Sequence, residues 1–115
     1  MDQGQHNSTH DQIEAMLNRA GDLLHELSML HTEIMIIIMK SLSAETIDCA
    51  ITVPFYSTSG FTTIAIRQVY FEQDRTQLWV LTADKQRIPF HELMPLIQNL
   101  VLNTVYVTSY LELTN

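Results

Sequence analysis

Few residues of this chain are of a type and spacing that could do chemistry. Asp22, His25 and Glu26 stand at i, i+3 and i+4. On a helix that spacing sets an imidazole and two carboxylates on one face, as a shared metal site would need. Any solvated polar helix face carries the same pattern, so no metal is expected there. His6 and His10 also stand four apart, but in a polar opening segment, and carry no metal expectation either. Cys49 is the single cysteine and alternates with apolar neighbours, which reads as a small buried hydrophobe rather than a nucleophile. Ser57-Thr58-Ser59-Gly60 offers hydroxyls but no partner spacing, and reads as a β-turn. With glycine only at positions 4, 21 and 60, neither a phosphate-binding loop nor a dinucleotide fingerprint can be built. No catalytic residue and no cofactor is expected.

Two groups are more informative. His31 falls inside an apolar helical arc with Leu27, Leu30, Ile34 and Ile38 around it. A buried imidazole needs a hydrogen-bond partner. That partner is either a core group or the same histidine of a second copy, and the latter would make assembly sensitive to mild acid. Arg67, Arg75, Lys85 and Arg87 lie near Tyr70, Phe71 and Trp79. Basic and aromatic residues on an exposed sheet face can bind single-stranded nucleic acid. No recognisable ribonucleoprotein pattern accompanies them, and solvated turn charges are the better reading.

The elements that must position these residues follow from periodicity. From about His10 to Lys40 the apolar residues recur at helical spacing, with Asn18, Arg19, Asp22, Glu26 and Glu33 opposite. This predicts one long amphipathic helix, capped near Asn7–Thr9 and continuous through Gly21. The β-branched run at 33–39 makes a strand the competing expectation there. Residues 47–55 alternate as a half-buried strand that either lies at an edge or ends at Pro54. Ile64 and Ile66 share one phase and Val69 and Phe71 the other, so a bulge near Arg67-Gln68 would bring all four to one face. Turns are expected at Gln73-Asp74-Arg75 and Ala83–Gln86, with strands at 76–82 and 87–90. Trp79 and Leu81 alternate with the equally apolar Leu78 and Val80, which suggests a strand covered on both faces. His91 to about Leu111 reads as a second helix. Its apolar face is Leu93, Leu96, Ile97, Leu100 and Val101, with Gln98 off that face and Pro95 in the first turn. The fold class is α+β: a long N-terminal helix, a three- or four-stranded antiparallel meander and a C-terminal helix, the helices packed on one sheet face. Residues 1–9 form a frayed polar segment and 10–115 one domain.

Composition sets the outer limits. The chain has 115 residues, 46% of them hydrophobic and 17% charged, with a net charge of −7. It is too apolar for disorder and too acidic for a sequence-independent nucleic-acid binder, so nucleic acid is not expected as a partner. No signal peptide is visible, and the longest apolar run, Ile34–Met39, is far below the roughly 20 residues that span a bilayer. A small soluble cytoplasmic domain is therefore expected. A helix of some 31 residues would be about 46 Å long, whereas a compact chain of this size is roughly 34 Å across. The overhanging face needs cover. A homodimer or other homo-oligomer, through Leu17, Leu24, Leu27, His31, Ile34 and Ile38, is the expected source. The leading functional expectation is a non-enzymatic, self-associating interaction module, with Tyr70 and Trp79 as a possible surface for a protein partner. Two alternatives stand beside it: an acidic decoy for a basic surface of a nucleic-acid-handling protein, and a small-molecule binder with a pocket between helices and sheet.

Overall fold

A computed structural model describes residues 2–72 and 77–112. The expected turn at Gln73-Asp74-Arg75 and the side chain of His6 lie outside the described residues. The order is α1 (Asp2–Ser41), β1 (Thr46–Ser57), β2 (Gly60–Phe71), β3 (Leu78–Thr82), β4 (Arg87–Pro89), a 3-10 turn (Phe90–Glu92), α2 (Pro95–Val105) and a wide helical turn (Tyr106–Leu111). The four strands form an antiparallel meander in sequence order, so β1 and β4 are its edges. The fold is α+β, as the periodicities require.

α1 is one helix of 40 residues, about 60 Å long. It starts eight residues earlier than His10, because no proline or β-branched run separates the opening segment from the amphipathic part. The residues expected to cap it therefore lie inside it. Ile34–Met39 is helix rather than strand. Met35, Ile38 and Met39 are buried there at helical spacing, and this tertiary contact overrides local β propensity. The helix runs through Gly21, where an added Cβ would meet nothing within 4 Å.

β2 carries the expected irregularity. Ile66 pairs with Thr82 but Gln68 with Leu81, so Arg67 is the extra residue. It resets the phase, and Ile64, Ile66, Val69 and Phe71 all join the core. Pro54 lies on the edge strand, where a missing N–H breaks no inner ladder. Gly60 closes the β1–β2 turn at φ 120°, a conformation glycine tolerates and other residues rarely adopt.

The core joins Met35, Ile38 and Met39 of α1 to Val53, Ile66, Val69 and Val80 of the sheet, to Phe90, and to Ile97, Val101 and Val105 of α2. Both helices thus share one sheet face. β3 is an inner strand, but Trp79 and Leu81 point to the opposite face and are only half-buried. The expectation of cover on both faces fails because both helices are spent on one. The long axis of the molecule is 64 Å against 32 and 28 Å across, since only the last third of α1 packs on the body.

If α1 is straight through Gly21, Gly21→Ala should raise helix content and stabilise the protein by about 0.5–1 kcal/mol, measured by circular dichroism through thermal unfolding. A helix that needs a bend at this glycine would lose stability instead.

Candidate interaction surface

The faces of α1 diverge at Ser28. C-terminal to it, the helix is anchored by a polar cluster built on Gln98. The Gln98 side chain is fully buried. Its Nε2 donates to the Ser28 hydroxyl at 2.8 Å and shares the carbonyls of Phe90 and Leu93 at 3.1 and 3.0 Å. Those carbonyls can only accept, which fixes the amide orientation and turns Oε1 toward His31. Nδ1 of His31, 3.1 Å away, must therefore carry the proton and donate. One α2 side chain thus bonds four polar groups: two on α1, one in the 3-10 turn and one at Leu93 beyond it. Sequence reasoning placed Gln98 on the solvent side of α2. The buried arc is instead Ile97, Gln98, Val101, Leu102 and Val105, while Leu96 and Leu100 are exposed. The cost of burying an amide is offset because every one of its bonds is made.

N-terminal to Ser28, the described side chains of α1 are all exposed. Leu17, Leu24 and Leu27 are 67%, 54% and 39% exposed, and Ile34, at the edge of the body, is 36% exposed. His31 and Ile38, the other two residues expected at a subunit interface, are buried in the chain's own core. The expected seam is thus split: Leu17, Leu24, Leu27 and Ile34 are exposed, whereas His31 and Ile38 face the body. His31 has an intrachain partner in Gln98. Isolated apolar side chains on a surface are ordinary, but a continuous apolar stripe along a helix marks a contact face.

A second surface lies on the sheet face that no helix covers. Tyr70 and Trp79 are cross-strand neighbours there. The Arg87 guanidinium sits 4.6 Å from the Trp79 ring centre and 5.7 Å from that of Tyr70. Its Nε donates to the Tyr70 hydroxyl and its Nη2 to Glu72 at 3.4 Å. Arg87 is therefore occupied within the chain rather than offered to a phosphate. The Trp79 indole N–H is buried without a hydrogen-bond partner among the described residues.

The remaining chemistry is structural in placement. Cys49 is buried on β1, and that burial pushes its thiol up to about 11. Asp22 and His25 lie on the exposed polar side of α1, and Glu26 approaches Arg19 at 4.0 Å. No group of three His, Cys, Asp or Glu residues is arranged to hold a metal among the described residues. Among the described residues, two surface clefts lie against α1. One, of about 740 Å³, lies at the end of α1 beside Lys40, Ser43 and Phe71. The other, of about 530 Å³, lies between α1 and the 3-10 turn beside Leu24, Ser28 and Leu93. Neither is lined by the His31 ring. No described helix is long and apolar enough to cross a membrane. Comparison with protein-family models, curated proteins and solved structures gives no match.

Gln98→Leu should cost about 3 kcal/mol, because His31 Nδ1 and the Leu93 carbonyl lose their Gln98 bonds together, whereas Asn99→Ala on the exposed side should cost under about 0.5 kcal/mol. Urea unfolding followed by Trp79 fluorescence reads both. Cys49 gives a pH signature of known sign. The unfolded thiol ionises near about 8.5, while the folded one holds its proton to about 11. Its contribution to stability is thus complete below the lower value and falls as pH rises through that window. Cys49→Ala should lose less stability than wild type between pH 9 and 11; parallel curves would contradict the assignment.

Proposed function

We propose that the chain is a non-enzymatic interaction module that associates with itself through α1, most simply as a dimer. The observation that carries this reading is the uncovered apolar stripe on the projecting part of α1. The accessible surface is 8132 Å², against about 6,400 Å² for a compact monomer of this mass. The excess is about twice the roughly 800 Å² that one partner buries in an ordinary interface. The residues of reactive type support the same reading. His31 is committed to Gln98, Cys49 is held as a buried thiol, and Arg87 is tied to Tyr70 and Glu72. Tyr70 and Trp79, on the uncovered sheet face, supply the candidate surface for a different protein partner.

Gel filtration with light scattering tests this directly. The chain should run at about twice its 13.2 kDa at micromolar concentration. Leu24→Glu combined with Leu27→Glu should return it to a monomer, since charges in an apolar seam are costly to bury. Both positions are exposed within the chain, so the body should keep its fold. A 13.2 kDa species at every concentration would overturn the proposal.

A further inference from the structure

Exposure along α1 selects a seam that the simple apolar arc did not. Ile13, Ala20, Leu27 and Ile34 recur every seven residues, and so do Met16, Leu23, Leu30 and Ile37. All eight are exposed. Interleaved, they alternate spacings of three and four from Ile13 to Ile37, which is the heptad seam of a two-stranded coiled coil. This stripe lies to one side of the face that carries His31, Met35 and Ile38 into the body, so it stays open along the whole helix. Building on self-association through α1, we propose that two copies pair along this stripe in antiparallel order, with the two-fold axis level with His25.

Three observations favour that order and register. First, the seam is self-complementary about its centre. Ile13 comes level with Ile37 of the second copy, Met16 with Ile34, Ala20 with Leu30, and Leu23 with Leu27. Every layer is filled, and small Ala20 meets a Leu. Second, the charges flanking the seam on one side are Arg19, Glu26, Glu33 and Lys40. In this register Arg19 faces Glu33 of the second copy. Glu26 falls beside its own symmetry mate but is balanced within the chain by Arg19 at 4.0 Å. Sliding one heptad in one direction sets Arg19 against Lys40 and Glu26 against Glu33. Sliding in the other direction drops Ile34 and Ile37 from the seam. Third, the flank on the other side is Leu17, Leu24, His31 and Ile38. Antiparallel order sets Leu17 opposite His31 of the second copy, where the body of that copy is packed, and sets Leu24 against its own mate. Parallel order places both bodies at the same end and leaves Leu17, 67% exposed in the chain, in water.

Spin labels on the outer face of α1 separate these arrangements. Asp11 and His25 are exposed and lie away from the seam. Each is replaced singly by cysteine in a Cys49→Ala background, and inter-copy distances are read by pulsed electron resonance. Antiparallel pairing puts residue 11 of the two copies about 42 Å apart along the axis and residue 25 side by side. The Asp11 distance should therefore exceed the His25 distance by roughly 20 Å. Equal distances would overturn the antiparallel order while leaving self-association standing. Absence of any inter-copy signal would overturn both. A charge-reversal pair tests the register without any cysteine: Arg19→Glu should weaken the dimer about tenfold, and adding Glu33→Arg should restore most of that loss. A double variant as weak as the single one would rule the register out.

Discussion

The structure depends on a mismatch of length. α1 has 40 residues, about 60 Å of helix, and the molecule is only 32 by 28 Å across its long axis. Among the described residues, α1 is buried only from His31 onward. A helix gains most of its stability from packing rather than from propensity, and unsupported segments are marginal in water. The part of α1 before Ser28 therefore has the sequence of a packed helix without a packed environment. The large accessible surface follows from this one segment.

Gln98 determines where the packed part of the helix begins. By bonding Ser28 and His31 of α1 and the carbonyls of Phe90 and Leu93, it fixes the helix to the body at the point where apolar cover ends. The direction in which α1 leaves the body is thus set at Ser28 and His31. The cluster joins α1 to the body through directional hydrogen bonds, so it gives specificity of docking.

Much of the fold was legible in the sequence because it rests on local periodicity. The alternation of Ile47, Cys49, Ile51 and Val53 marked the edge strand, and the phase change between Ile66 and Val69 located the bulge at Arg67. The spacing predicts a second helix from His91 with Pro95 in its first turn; it starts at Pro95, and His91 falls in the 3-10 turn. Quantities set by long-range contact were not legible. Gln98 looks like a surface residue by type, and only the convergence of α1, the 3-10 turn and α2 makes it the anchor. The turn of the seam is the same kind of case. His31 and Ile38 fit an apolar stripe by spacing, but they are taken by the chain's own core, and the free stripe passes instead through Leu30 and Ile37. The opposite sheet face was misjudged because Trp79 and Leu81 are as apolar as Leu78 and Val80. Arg87, laid across the ring of Trp79, is what shields that face in part.

The central claim is that residues 13–27 of α1 owe their order to a second copy of the chain. Amide hydrogen exchange on the wild type and on the seam-breaking variant Leu24→Glu/Leu27→Glu measures this most directly. Residues 13–27 should be protected in the wild type and should exchange close to the rate of an unstructured peptide in the variant, while Val69 and Val80 in the sheet stay protected in both. Identical exchange across residues 13–27 in the two proteins would contradict it.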